Sequence, residues 1–146
     1  MSFLSSLDIS GSGLTASRLR MDVISENITN ATTTRTENGG PYRRKMVVYE
    51  AGGQSSFQHM LASKMQEGGD NTGVRVSEIV EDKSDFNPVY DPTNPDANAQ
   101  GYVMMPNVDP IKETIDMMAV TRAYDANMTA FNAVKGMAVK ALELGR

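Results

Sequence analysis

A long proline-free run near its C-terminal end limits what this chain can become. From Asn107 the sequence reads NVDPIKETIDMMAVTRAYDANMTAFNAVKGMAVKALELGR, with no proline after Pro110. Asp109 can accept hydrogen bonds from first-turn amides, and Pro110 brings a φ already fixed near the helical value, so a helix is expected to start here. Gly145 follows the last apolar residue and suits the position just past a helix end. The interval is about 35 residues, or roughly 52 Å at 1.5 Å per residue, about three times an average globular helix.

Two rows of residues run along it. Met117, Val120, Tyr124, Asn127, Phe131, Val134, Ala138 and Ala141 alternate gaps of three and four, the a/d spacing of a coiled coil. Ala119, Ala123, Ala126, Ala130, Ala133, Met137 and Leu144 keep the same rhythm one position earlier, broken at Lys140. One residue is about 100° of rotation, so the second row is a separate face of small side chains. Such a face lets another helix approach closely. Val108, Ile111, Ile115 and Met118 are out of phase with both rows, as a stutter would make them. A helix with two such rows calls for two neighbours.

The first 33 residues supply one of them. Leu7, Ser10, Leu14, Ser17, Met21, Ile24, Ile28 and Ala31 again alternate three and four, with Leu7, Leu14, Met21 and Ile28 as the large-residue row. These are expected to pair with Met117, Val120, Tyr124, Phe131 and Val134. Gly11 and Gly13 each cost about 1 kcal/mol against Ala inside a helix. They mark either fraying near the terminus or a close approach by neighbouring backbone. Thr32 to Thr34 and the turn-rich Thr36 to Pro41 end the helix.

The middle follows another rule. YRRKMVVYE (42–50) is β-like, GVRVSEIVED (73–82) alternates, and 85–89 and 101–105 are candidate short strands. The stretch 51–72 is rich in Gly, Ser and Gln, with a candidate short helix over 56–64, and reads as a flexible loop. DPTNPDANAQG (91–101) is turn chemistry throughout. The expected fold is α+β: an N-terminal coiled-coil helix (1–35), a β-rich middle (36–106) and a C-terminal coiled-coil helix (107–146). A strand module of about 65 residues is marginal alone and must lean on the helices or on neighbours.

Hydrophobic content of 40% with a net charge of −4 describes a folded soluble chain, and the acidic balance argues against nucleic acid as main partner. Without cysteine there is no disulfide, thiol nucleophile or thiolate zinc site. The start, MSFLSSLDISGSGL, has no early basic residue and no long apolar run, unlike a Sec signal. Charges from Lys112 to Lys140 keep the last helix from spanning a membrane.

Catalytic chemistry finds little support. His59, the one histidine, reads as a loop residue rather than a ligand. Asn94, Asp96 and Asn98 have EF-hand-like spacing but lack the central Gly and the closing Glu, so they read as turn residues. Arg43, Arg44 and Lys45 read as a solvated basic face. Asn27, Asn30 and Asn127 fall in glycosylation-like triplets inside expected helices, which gives them little weight. No enzyme, cofactor or metal is expected, and self-association or co-assembly is the leading function.

Five stretches also resemble a known family. ISGSGLTASRLRMDVISENITNATT (9–33), with Asn27 and Asn30, and GGPYRRKMVVYE (39–50) are similar to the bacterial flagellar axial proteins. PVYDPTNPDA and GYVMMPNVD, carrying Tyr90, Asp91, Pro92, Gly101, Tyr102, Pro106 and Asn107, resemble the proximal rod members in particular. TRAYDANMTAF, carrying Arg122 and Asn127, is similar to the family's C-terminal helix. The resemblance implies a structural subunit of the flagellar basal-body rod, in the periplasmic space, exported through the flagellar type III apparatus without a cleaved signal. It implies terminal helices lining an export channel and transmitting torque, with no membrane span. Its implied partners are copies of itself and the rod proteins FlgB, FlgF, FlgG and FliE. Ala119, Ala123, Ala126, Ala130, Ala133 and Met137 would then meet another subunit. A sibling rod or hook subunit, or a type III secreted tip protein, is the competing reading.

Overall fold

The computed structural model describes residues 3–37, 39–52 and 73–145; the expected short helix over 56–64 and His59 lie outside them. The fold is α+β. Helix α1 (Phe3–Thr29) is followed by strands β1 (Lys45–Ala51), β2 (Val74–Glu81), β3 (Asn87–Tyr90) and β4 (Tyr102–Met105), then helix α2 (Pro110–Leu144).

The start of α2 follows from local chemistry. Asp109 Oδ1 accepts from the amides of Ile111 at 3.0 Å and Lys112 at 3.4 Å, and Pro110 takes the first helical position. The end of α1 falls earlier than the threonine run suggested, at Thr29 rather than residue 33. There Asn30 turns its side-chain amide back onto Glu26 O at 2.9 Å, and Thr33 N donates to Asn30 O. Glu26 O thus accepts twice from Asn30, from its side-chain amide and from its backbone N–H at 3.0 Å.

β1 pairs with β2, and β3 pairs antiparallel with β4 in the register Asn87 to Met105 and Tyr90 to Tyr102. Backbone bonds Gly52 N to Gly73 O and Asp82 N to Arg44 O bracket the first pair. β1 starts at Lys45, three residues later than expected. Tyr42 is drawn off instead, its N–H donating to Thr33 O. In the 91–101 turn, Asp91 accepts from the amide of Thr93, Asn94 from that of Asp96, and Asn98 from those of Gln100 and Tyr102. These three Asx residues close the turn, which Gly101 completes at φ +82°.

The chain forms two compact units. One gathers the described residues of 1–19, 48–77 and 121–146; the other gathers 20–47 and 78–120. In the first, Ala16 is buried and α1 meets α2 where a Cβ on Gly13 would stand 2.9 Å from Asn127 Nδ2. That is the close approach, though by a side chain rather than backbone; Gly11 has open space instead. Ser12 Oγ accepts from Val74 N at 3.1 Å, and Gly73, at φ +78°, packs against it. In the second unit Val23, Ile24, Tyr42, Val103 and Val120 form the apolar core.

Candidate functional site: a polar node at Asn27 and an exposed helix face

The second unit encloses a polar node. Asn27, 1% exposed, sits near the end of α1 with every side-chain hydrogen-bonding position filled. Its Oδ1 accepts from Tyr42 Oη and from Lys45 N, both at 2.9 Å. Its Nδ2 donates to Lys45 O at 2.9 Å and to Glu113 Oε2 at 3.1 Å. The side-chain amide therefore serves β1 as a short stretch of neighbouring strand would, while also reaching the first turns of α2. A one-carbon-shorter or apolar side chain would leave several backbone and carboxylate groups unpaired.

Glu113, also 1% exposed, takes its second partner from the strand entry: Arg44 Nε donates to Oε1 at 2.6 Å. The guanidinium lies 3.6 Å from Asp116 and 3.9 Å from Asp82 as well. Asn107 completes the surround. Its Oδ1 accepts from Arg44 N at 2.8 Å, and its Nδ2 donates to Asp82 O and to Ser84 Oγ. A cavity of about 400 Å³ opens between Arg44, Asp82, Asn107, Lys112 and Asp116. Its lining carries four carboxylates, Asp82, Asp109, Glu113 and Asp116, against two cations, Arg44 and Lys112, and it forms the acidic mouth of the node.

Two ionisations report this environment. Burial, then the carboxylates of Glu26, Glu113 and Glu81, push the Tyr42 phenol from 10.0 up to about 12. The Ser84 amide and hydroxyl hold the Asp82 carboxyl below the usual range against desolvation, and Arg44 and Arg43 add smaller effects in the same direction as Ser84. Arg43 lies over the Phe86 ring at 4.3 Å, and Lys45 pairs with Glu26. The basic triplet is thus spent on internal contacts and does not form the solvated face its composition suggested.

The second feature is the outside of α2. Ala119, Ala123, Ala126, Ala130, Ala133 and Met137 are all exposed. Ile111, Ile115 and Met118 are 72%, 60% and 55% exposed, an apolar i, i+4, i+7 set facing solvent. On the other row Val120 is buried, while Met117, Tyr124, Asn127, Phe131 and Val134 are half-buried, as are Leu7, Leu14, Met21 and Ile28 of α1. The deepest burial on α1 falls beside that row, at Ala16, Val23, Ile24 and Asn27.

Of the residues singled out by resemblance, Asn27 and Asn107 belong to the node, and Asn30 ends α1. Tyr90 and Tyr102 face each other across β3 and β4 with ring centroids 5.3 Å apart at 67°, and a Cβ on Gly101 would press on Tyr90 at 2.9 Å. Asp91 and Pro92 belong to the turn, Pro106 is buried, Arg122 is exposed, and Asn127 opposes Gly13. Glu113, Arg44 and Tyr42 escaped the sequence reading. The sequence held one clue, a carboxylate one turn inside a helix whose outward residues are isoleucines.

Among the described residues no helix is long and apolar enough to cross a membrane, and no group of three His, Asp or Glu is placed to hold a metal.

The sequence pattern of a family described as flagella basal body rod protein matches residues 7–35, and that of the flagellar basal body rod FlgEFG protein C-terminal region matches 99–144. The chain is 56% identical to the flagellar basal-body rod protein FlgC of Bacillus subtilis, over the whole of both chains. The chain belongs to the FlgC family of flagellar basal-body rod proteins. The FlgC of Borreliella burgdorferi is 40% identical, covering 99% of this chain and 98% of its own, and that of Salmonella typhimurium is 38% identical over both full lengths. The chain is accordingly a structural subunit of the flagellar basal-body rod. Asn27 lies in the first matched segment, and Asn107 and Glu113 in the second.

Proposed function

We propose that the chain builds the proximal rod by packing the exposed small-residue face of α2 against another subunit, while its other face stays with α1. The paired helices then form the torque-bearing wall around an export channel, on the periplasmic side of the inner membrane. Subunits reach that place through the flagellar type III apparatus and assemble with copies of this chain and with FlgB, FlgF, FlgG and FliE. The chain works as a scaffold, without catalysis or cofactor. Every buried side-chain nitrogen and oxygen among the described residues has a partner, as a scaffold requires.

The observation that carries this reading is the exposure of Ala119 to Met137 along one side of α2, beside the exposed Ile111, Ile115 and Met118. Apolar area of this kind on a helix longer than an ordinary globular one is the mark of an interface. Ala126→Leu tests it. Both residues are good helix formers, so the free chain should unfold at an unchanged temperature. Overpacking a tight contact costs about 1–3 kcal/mol, repeated at each copy in a polymer. Basal bodies isolated from cells carrying the variant should lack the subunit. Normal incorporation and swimming would show that this face is not an intersubunit contact.

A further inference from the structure

Buried polar networks are weak sources of stability, since an apolar replacement of equal volume is often neutral or better. The node at Asn27 therefore calls for another explanation, and the helices supply one. The face of α1 that meets α2 carries Gly13, Ala16, Arg20, Val23 and Asn27 at spacings of three and four, a seven-residue repeat, and the half-buried row of α2 keeps the same repeat. A slide of one heptad between two such rows sets apolar residues against apolar residues again. Apolar contact alone then distinguishes the registers poorly.

We propose that Asn27, Arg44 and Glu113 form a register lock, which selects the one alignment of α1 with α2 that the apolar rows leave nearly degenerate. In the native alignment the Asn27 amide fills four hydrogen bonds, to Tyr42, to Lys45 N and O, and to Glu113. Glu113 is likewise closed between Asn27 and Arg44. Sliding α2 by seven residues carries Glu113 away from both partners, into a position that must bury a carboxylate without them. Sliding α1 carries Asn27 away from the Lys45 backbone and strips the start of β1 of its partner. Each shifted register leaves buried polar groups unpaired, and each such group costs the full desolvation of that group. The lock joins segments 18, 69 and 86 residues apart, so it closes only when the N-terminal helix, the strand entry and the C-terminal helix have all arrived. In a subunit whose helices also face neighbours with rows of similar spacing, such a device keeps the chain's own pairing distinct from its pairing with others.

The chain has no cysteine, so introduced pairs report register directly. A Cβ on residue 13 lies 3.2 Å from Asn127 Cγ, near the place a cysteine sulfur at 127 would take. α1 and α2 are each uninterrupted helices, so a heptad slide moves residue 120 or residue 134 into that place. The test oxidises three purified double variants: Gly13→Cys with Asn127→Cys, with Val120→Cys, or with Val134→Cys. Each is made in the natural background and in one carrying Asn27→Leu, Arg44→Met and Glu113→Leu. In the natural background the 13–127 disulfide should exceed either shifted one at least about tenfold. In the apolar background the thermal midpoint should fall, since Tyr42 Oη and the Lys45 N–H and C=O lose their partner, while the shifted disulfides approach the native one in yield. Exclusive formation of 13–127 in the apolar background would overturn the lock. So would equal yields, or no 13–127 disulfide, in the natural background. None of these outcomes depends on whether the subunit enters the rod, so a failure here is distinct from a failure of the assembly reading.

Discussion

α1 meets α2 by different chemistry in the two compact units. In the unit holding residues 20–47 and 78–120 the meeting point is a buried amide and carboxylate, Asn27 and Glu113, tied to the strand entry through Tyr42, Arg44 and Lys45. In the unit holding the described parts of 1–19, 48–77 and 121–146 it is an absence of side chain. Gly13 leaves room for Asn127; in the same unit, where the entry to β2 meets α1, Gly73 likewise leaves room for Ser12. The first contact is directional and carries information about partners. The second is steric and permits approach without naming a partner. Mutations should separate them: the polar contact fails by losing atoms, the steric one by gaining them.

The largest effect is expected at Glu113. Glu113→Ala removes the buried acceptor of both Arg44 Nε and Asn27 Nδ2. Breaking one side of a buried charged pair costs about 3–5 kcal/mol, and because Arg44 retains Asp82 and Asp116 nearby, the lower end applies. Chemical denaturation of the purified chain measures it. A loss under about 1 kcal/mol would mean the node is worth no more than a surface pair.

Gly73→Ala comes next and belongs to the steric contact. The residue sits at φ +78°, where an L side chain is strained by roughly 1–2 kcal/mol. A Cβ there would also collide with Ser12 Oγ, which accepts the Val74 amide and donates to Ile9 O at 2.7 Å. A total loss of about 2–3 kcal/mol is expected. Ser12→Ala in the same chain should recover part of it by removing the obstructing hydroxyl; no recovery would leave backbone strain as the whole cause.

Tyr42 gives the polar contact a pH signature. Its folded pKa, about 12, lies above the unfolded 10.0, so its contribution to stability is complete below pH 10 and is lost as pH rises from 10 toward 12. Tyr42→Phe should cost about 1 kcal/mol at neutral pH, since Asn27 Oδ1 keeps Lys45 N as a donor. The variant should also lose this part of the alkaline decline. Tyrosinate absorbance offers a second check: one of the five tyrosines should titrate late in the natural chain and be missing from the variant.

How much of this was legible in the sequence depended on distance along the chain. The start of α2 was readable because Asp109 and Pro110 act on amides two and three residues away. The 91–101 turn was readable for the same reason, each Asx residue closing on a near neighbour. The end of α1 was misplaced by four residues because Asn30 can extend a helix or turn back on it, and its partner Glu26 does not decide which. The node was out of reach. Glu113 is an ordinary helical carboxylate until Arg44, 69 residues earlier, arrives beside it. Arg44 in turn looked like one of three basic residues on a strand, and nothing near it in sequence says that it points inward. Asn27 stood out only through its resemblance to other axial proteins, and its chemistry became visible once Tyr42 and Lys45 were placed around it.

The smallest effect should come from the two glycines of α1, and it is the sharpest probe of the steric contact. Gly11 and Gly13 are two residues apart in one helix, so they share the same propensity and the same distance from the helix end to within half a turn. Replacing either by Ala should gain about 1 kcal/mol from propensity alone. At Gly11 nothing lies within 4 Å of the new Cβ, so Gly11→Ala should realise that gain in full. At Gly13 the Cβ would lie 2.9 Å from Asn127 Nδ2 and 3.2 Å from its Cγ, and the half-buried amide must rotate or α2 must retreat. Overpacking of this kind costs about 1–3 kcal/mol, enough to cancel the gain or reverse it. The difference between the two variants isolates the contact, because propensity cancels. Adding Asn127→Ala should bring Gly13→Ala level with Gly11→Ala. If Gly13→Ala matches Gly11→Ala without that second change, the helices do not approach closely at Gly13, and the steric half of the comparison fails.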